Sequence, residues 1–303
     1  MLAIAGATGR VGSIAAKKLL AEGEAVRVLV RSESAASAWS SRGADVRACS
    51  LEDTEVLAEA LTGCSGFFVL LPFDLDVGDL DAYADALISS ISEAVIRAGV
   101  PHIAALSSGG ADLAEGTGPI TGLHRLEQAL LSTGAKLSIL RPAHFQEKVA
   151  DLIDVAEQTG IFPVFSATAD KPLPMVATMD IGAAVARSLI DPPTNSEVID
   201  ILGPAHSERE VASLLSDKLG RDLEVAALPE EAWVPALADA GFRTHIARSL
   251  AELYRADEAG LLAPRGDRVI TGTTRLEITI DHLPASGRGN VSEQGEDHVE
   301  VPD

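Results

Sequence analysis

The feature that most constrains the fold of this chain is a short apolar run that leads into three evenly spaced glycines. Residues 2–12 read LAIAGATGRVG, with Gly6, Gly9 and Gly12 at three-residue steps, and an alanine-rich segment follows to residue 21. This pattern predicts a strand, a tight turn and a helix. Glycine lets the backbone approach a ligand closely, and a helix N-terminus offers free N–H groups and the positive end of its dipole. Because strand and helix patterns flank the glycines, we expect a pyrophosphate cradle here.

The segment that follows indicates which dinucleotide fits the cradle. The β-branched run Val26–Val30 predicts a second strand, and Arg31 comes directly after it. A carboxylate at this point would hold a ribose 2′-hydroxyl, whereas the guanidinium of Arg31 suits a 2′-phosphate. Arg10, inside the glycine turn, could reach the same phosphate. These residues predict NADP(H) rather than NAD(H), with solvated surface arginines as the alternative.

Charge and composition exclude several classes of partner. The formal net charge of −21 over 303 residues argues against nucleic acid and against an anionic membrane surface. No stretch reaches the roughly 18 apolar residues of a membrane span, and no signal peptide precedes the first strand. Cys49 and Cys64 are the only cysteines and form no CxxC motif. We therefore expect reduced, buried thiols in a cytoplasmic protein, and the spacing of potential ligands predicts no metal site.

Strands and helices alternate along the first half of the chain, which predicts an α/β Rossmann fold with a doubly wound parallel sheet. We expect this NAD(P)-binding domain to span residues 1–150, with its sheet completed by parts of 175–204. A smaller, mostly helical lobe on the substrate side is predicted for 151–283. The polar residues 284–303 predict a disordered tail.

Within the second half, the predicted elements are less regular. Helices are expected over Val149–Gln158 and over Ser207–Leu219, the second capped by its first residue. Gly160–Pro174 is predicted to be a loop punctuated by prolines. The stretch Trp233–Tyr254 is predicted to be amphipathic helix.

Several motifs together resemble a known family. The glycine turn with Val28–Arg31 after it is similar to the NmrA-like family of atypical short-chain dehydrogenases/reductases. The similarity continues in the same order through Leu106–Ser108, Leu140–Glu147, Met179–Gly182 and Gly272–Glu277, up to about residue 280. The resemblance implies an NAD(P)-binding Rossmann domain whose substrate cleft lies between it and the C-terminal lobe.

The resemblance also implies a set of cofactor-binding positions, most of them at strand ends. Ser50 stands where the family usually has an aspartate beside the adenine, so that hydrogen bond is in question. Residues from three later strand ends would border the ribose and the nicotinamide, where open α/β sheets bind ligands. The full set is Gly6, Thr8, Gly9, Arg10, Val11, Gly12, Arg31, Ser50, Leu51, Leu70, Leu71, Pro72, Ser107, Ser108, Pro142, Ala143 and Phe145.

The catalytic pair of the wider superfamily is missing from the sequence. Counting back from Glu127, Pro119 occupies the position of the usual tyrosine and Leu123 that of the usual lysine. His124 and His144 are the candidates for a proton donor, because imidazole titrates near neutral pH. A surface histidine and a histidine bonded to backbone remain their respective alternatives.

Two functions are consistent with these residues. The first is an NADPH-dependent oxidoreductase that transfers hydride to a quinone or a similar small carbonyl or conjugated acceptor. Such an acceptor is electrophilic and needs orientation more than it needs a tyrosine. The second is a non-catalytic NAD(P)-sensing regulator that acts through a protein partner. No Gly-x-Ser-x-Gly elbow supports a hydrolase. The oligomeric state is open, with a homodimer as one option.

Overall fold

The computed structural model describes residues 1–74 and 76–283, so the predicted tail over 284–303 lies outside the described residues. Its strands are β1 (Leu2–Ile4), β2 (Val26–Val30), β3 (Asp45–Ala48), β4 (Gly66–Leu70), β5 (His102–Leu106), β6 (Lys136–Pro142), β7 (His144–Phe145), β8 (Ile161–Val164), β9 (Leu173–Val176), β10 (Glu197–Leu202), β11 (Ala205–His206), β12 (Glu224–Ala227) and β13 (Arg268–Thr271). Eight of them form one parallel sheet in the order β13-β10-β6-β5-β4-β1-β2-β3.

Helices cover both faces of this sheet. They are α1 (Arg10–Ala21), α2 (Glu33–Ser40), α3 (Thr54–Leu61), α4 (Leu80–Ala98), α5 (Ile120–Leu131), α6 (Ile153–Thr159), α7 (Thr178–Ile190), α8 (Glu208–Leu219), α9 (Glu230–Asp239), α10 (Thr244–Glu258) and α11 (Leu276–His282), with a 3-10 helix over Gln146–Leu152. Apolar residues of α3, α4 and α5 pack on one face, and those of α1 and α7 pack on the other. The predicted doubly wound Rossmann fold is confirmed.

The strands are apolar on both sides because both faces are covered. In β4, Phe67 and Phe68 are each fully buried, one in each of the two large cores. Such continuous apolar strands are typical of parallel sheets.

Several helices begin at residues whose side chains cap them. Asp53 and Asp79 accept backbone N–H bonds at the starts of α3 and α4, and Ser207 forms a full capping box with Glu210 on α8.

The second half differs from its prediction at three places. The segment Gly160–Pro174 is not entirely loop, because it contains β8, which pairs with β12, and the start of β9. The helix predicted over Trp233–Tyr254 is two helices, α9 and α10, separated at Gly241, whose φ of +97° a helix does not allow. The first part of the predicted helix Val149–Gln158 is 3-10 rather than α. The edge strand β13 was not predicted, although three of its four residues are β-branched.

Both cysteines are buried and unpaired, as predicted. Burial, together with the nearby Asp53 carboxylate, raises the pKa of the Cys49 thiol to about 11, which leaves it protonated and unreactive near neutral pH. Among the described helices, none has the length and apolar character needed to cross a membrane.

Candidate active site

The glycine turn has the geometry that its sequence predicts. Gly6 turns the chain at φ +64° just after β1, and the Gly9 N–H donates to the Gly6 carbonyl at 2.9 Å. A Cβ on Gly12 would lie 2.3 Å from that same carbonyl oxygen, so only glycine lets α1 begin so close to the strand. Gly9 precedes the first residue of α1 and has no side-chain cap. The N–H groups of the first turn therefore point outward without partners in the helix.

The residues of this turn fit a dinucleotide pyrophosphate. Thr8 and Arg10 are exposed beside the free N–H groups, and the first turn contains no acidic residue to repel an anion. Val11 offers only its backbone, because its side chain packs into the core with α7. A helix of 12 residues supplies a full dipole at this end. The cradle, its charge and its accessibility are all consistent with a bound phosphate group.

Arg31 lies at the end of β2, on the same edge of the sheet. Its exposed guanidinium forms no ion pair with the described residues. Its charge reaches Tyr83 of α4, whose pKa is raised chiefly by burial and lowered in part by this arginine. Ser50 follows β3 and uses its hydroxyl to accept the Glu52 N–H at 3.3 Å, while Leu51 packs against the core.

The ends of β4, β5 and β6 meet at the next part of that edge. The strand β4 ends at the half-buried Leu70 and is followed by the half-buried Leu71 and Pro72, and after β5 come Ser107 and Ser108. Parallel pairing brings these segments side by side, with the Ser107 N–H donating to the Leu140 carbonyl at 2.7 Å. Beyond the buried Pro142, the half-buried Ala143 donates its N–H to Ile201, and Phe145 packs partly against the core.

A buried ion pair stabilises this edge from beneath. The Arg141 guanidinium donates to both carboxylate oxygens of Glu127, at 2.9 and 2.6 Å, and Ser107 donates its hydroxyl to the same carboxylate. Burial lowers the pKa of Arg141, but Glu127 outweighs it and leaves that pKa raised. Arg265 and Arg141 also flank Asp112, which extends the network to the loop after α10. Ser107 is thus held as a hydrogen-bond donor to Glu127.

The two histidine candidates lie in different surroundings. His124 is half-buried on α5, and its Nδ1 is 2.9 Å from the Ala111 carbonyl in the loop after β5. His144 follows β6, with Nε2 3.4 Å from Asp257 Oδ1 of α10 and a side chain 37% exposed. Burial lowers the pKa of His144, but the hydrogen bond and charge of Asp257 outweigh it, and that pKa is raised overall. His144 therefore stays protonated to a higher pH than an ordinary imidazole.

Helix α10 lies across this edge of the sheet. A Cβ on Gly118, before α5, would lie 2.2 Å from the Ser249 carbonyl of α10. A Cβ on Gly109, after β5, would lie 2.5 Å from the Leu262 carbonyl just beyond α10. Near the C-terminal end of α10, Asp257 reaches His144. The bare glycines allow this close approach, so α10 and the residues just after it border the ends of β5 and β6.

The residues of the motifs Leu140–Glu147 and Met179–Gly182 mostly fix the position of α7. Glu147 accepts the backbone N–H and the hydroxyl of Thr178, and so caps α7 from a different element. Gln146 is fully buried and bonds Met175, Thr274 and Thr279. A Cβ on Gly182 would meet Ile14 of α1 at 2.6 Å. These residues orient the first turn of α1, which α7 supports from behind.

Sequence reasoning did not identify several residues of this region. Asp257 partners His144 across 113 residues, and Asp112 joins two arginines. A cavity of about 380 Å³ also lies between the loop after β4, the starts of α4 and α5, and the start of α10, with Tyr83, His245 and Glu252 in its lining. Nothing in the spacing of these residues signals that they meet, because the fold brings them together.

Comparison with known proteins gives consistent results. The sequence profile of the NmrA-like family matches residues 1–261. The chain is 26% identical over 293 residues to the NAD(P)H azoreductase of Xenophilus azovorans, covering 95% of this chain and 99% of that protein. It is 27% identical over 259 residues to quinone oxidoreductase 2 of Escherichia coli (strain K12), covering 83% and 86%. Among solved structures, the Citrobacter sp. triphenylmethane reductase complexed with NADP(H) shares its fold, with a TM-score of 0.77, 21% identity, and 94% and 100% coverage.

Proposed function

The chain belongs to the NmrA-like family, and on that premise we propose that it is an NADPH-dependent oxidoreductase that reduces a quinone or a similar small conjugated acceptor. The observation that carries the proposal is the glycine cradle at the start of α1, together with α10 lying across the neighbouring strand ends. A cradle of this form holds a pyrophosphate. With α10 above the strand ends, an acceptor can bind between them in a fixed orientation. The activities named for the two similar proteins, azoreductase and quinone oxidoreductase, support the same class of reaction.

The binding roles follow from the position of each group. The N–H groups of Arg10 and Val11 would hold the pyrophosphate, and the exposed guanidinium of Arg31 would hold the 2′-phosphate. Ser50 and Leu51 would border the adenine. The remaining contacts to the ribose and the nicotinamide would come from the ends of β4, β5 and β6, through Leu70, Leu71, Pro72, Ser107, Ser108, Pro142, Ala143 and Phe145. The division into a cofactor domain over 1–150 and a substrate-side lobe over 151–283 is part of this proposal.

For this reaction the protein has to position the cofactor and the acceptor and to supply a proton. NADPH supplies the hydride when bound. Neither Pro119 nor Leu123 can donate a proton, so the usual tyrosine and lysine chemistry is replaced. Protonated His144, held by Asp257, would deliver a proton to the acceptor oxygen or nitrogen through water. His124 is the alternative donor, and its contact with Ala111 would then fix the ring orientation.

Steady-state oxidation of NADPH tests the proposal directly. The purified protein would be supplied with NADPH and a panel of quinones, enones, imines and azo compounds, and nucleotide affinity would be titrated on the same sample. We expect turnover with at least one member and a lower Kd for NADPH than for NADH. Tight NADPH binding with no turnover across the panel would overturn the enzyme assignment and favour an NAD(P)-sensing regulator. A homodimer and a cytoplasmic location remain predictions, testable by light scattering and by fractionation.

A further inference from the structure

One wall of the cavity beside α10 is formed by three residues at and just before the start of α5. Pro119 stands in the position of the usual tyrosine, and Gly118 and Gly122 flank it on the cavity wall. The Gly122 Cα faces Leu71 and Ala84, whose atoms would lie 3.4 and 3.6 Å from an added Cβ. A cavity of about 380 Å³ falls within the range of small-molecule sites.

The wall of this cavity combines apolar surface with negative charge. Leu71, Pro72 and the 43%-exposed Phe73 supply flat apolar contact beside the expected ribose and nicotinamide positions. The carboxylates of Asp79, Asp81 and Glu252 also line it, and the described lining contains neither lysine nor arginine. His245 is the one described lining group able to become a cation.

The three carboxylates are not equally available to a ligand. Asp79 accepts the Ala82 N–H as the cap of α4, and Asp81 pairs with Arg125 at 2.7 Å. Glu252 is half-buried and forms no ion pair or hydrogen bond with the described residues. A half-buried charge in a cleft acts on a ligand more strongly than it would in bulk water. Glu252 is therefore the residue that would discriminate between ligands by charge.

We propose that this cavity is the acceptor-binding site, and that Glu252 makes it select cationic or neutral planar aromatic acceptors over anionic ones. The inference rests on the proposed oxidoreductase function, but its test does not need turnover. The apolar wall would hold the aromatic plane next to the strand ends, and the carboxylate would attract a positive substituent and repel a sulfonate.

Two azobenzenes of the same shape provide the probe. One carries a para trimethylammonium group and the other a para sulfonate group, and calorimetry would measure the affinity of each for the NADP⁺-loaded protein. We expect the trimethylammonium compound to bind more tightly. In Glu252→Lys the affinity ratio should shift towards the sulfonate by about fivefold or more, and in Glu252→Gln by less. Asp217→Lys, an equal charge change at an exposed position of α8, should leave the ratio within about twofold. Equal shifts in both lysine variants would overturn the charge assignment.

A second pair of variants tests the location. Ser249→Phe places a ring inside the cavity and should abolish binding of both azobenzenes, with NADPH affinity and Tm retained. Arg248→Phe, on the neighbouring exposed position of α10, should bind both compounds as the native chain does. Undiminished binding in folded Ser249→Phe would refute the site. Failure of the proposed function alone would appear differently, as intact charge-dependent binding with no NADPH oxidation.

Discussion

At the scale of the residue, the two arginines near the cradle make the cofactor prediction specific. Arg31 is exposed, unpaired among the described residues and directly after β2, where a 2′-phosphate would lie. In Arg31→Glu we expect NADPH affinity to fall about tenfold or more, because an attractive charge becomes repulsive. NADH affinity should change little. Fluorescence titration with both nucleotides measures this, with Arg42→Glu at an exposed arginine beyond α2 as the control. Equal losses for both nucleotides would refute the 2′-phosphate role.

His144 gives a pH prediction. Its raised pKa means that the imidazolium persists to a pH above its ordinary value, and a proton donor loses activity as pH rises through that pKa. We therefore expect kcat to decline on the alkaline side. Asp257→Asn removes the charge that raises the pKa, so the decline should move to lower pH. Asp239→Asn, an exposed carboxylate at the end of α9, is the control. If the pH profile is unchanged in Asp257→Asn, the proton donor is His124 or water rather than His144.

His102 predicts a pH dependence of stability. It lies 3% exposed in β5 with Nε2 3.1 Å from the Ser138 hydroxyl, and burial, with a smaller effect of Lys136, lowers its pKa to about 4. The pKa of His102 is lower in the folded chain than in the unfolded chain. The folded state is therefore more stable when the His102 ring is neutral. That contribution is present above about pH 6.5 and lost as pH falls towards 4, with a magnitude of about 3 kcal/mol. Urea unfolding at pH 7 and pH 4 should show a smaller loss in His102→Gln than in the native chain, and an equal loss would contradict the assignment.

Residue types at the site were predictable only in part. The cradle glycines and Arg31 could be identified because their chemistry depends on local sequence, a turn and a strand end. The contacts Glu147–Thr178 and His144–Asp257 span 31 and 113 residues, and no local pattern signals them. The role of His144 as an ion-pair partner therefore emerged only from the fold.

At the scale of the element, two glycines in the first turn have separable roles. A Cβ on Gly12 would lie 2.3 Å from the Gly6 oxygen, whereas a Cβ on Gly9 would lie 3.4 Å from it. Gly12→Ala should therefore lower Tm as well as NADPH affinity, because α1 must move away from β1. Gly9→Ala should lower affinity with little change in Tm, since it obstructs the phosphate rather than the helix. Thermal melts and nucleotide titrations separate the two, and identical effects would contradict these roles.

Element prediction succeeded where periodicity and caps agreed. The bounds of β2 match the expected ones because it is a β-branched run, and α8 begins at its predicted Ser207 cap and ends at Leu219 as expected. The four-residue strand β13 was not predicted, although Val269, Ile270 and Thr271 are β-branched, and it pairs with β10 at the edge of the sheet. The break between α9 and α10 depends on Gly241, which adopts a φ of +97° in a stretch that otherwise reads as helix.

At the scale of the whole molecule, the parallel sheet follows from the sequence, while the arrangement of the second half over it does not. Alternating strands and helices leave few topologies, and right-handed crossovers select one. The seating of α10 depends instead on bare backbone at Gly109 and Gly118, two positions that propensity treats as loop. This packing places α10 over the strand ends and forms the cavity beside them.

In the proposed reaction, the chain transfers hydride from bound NADPH to an acceptor. Rapid mixing of the protein–NADPH complex with a quinone, followed by nicotinamide absorbance and quantification of the reduced acceptor, tests it in a single turnover. We expect loss of the NADPH signal at a rate well above that of the free nucleotide, with one acceptor reduced per NADPH consumed. A complex that holds NADPH unchanged against every acceptor, at the rate of the free nucleotide, would contradict it.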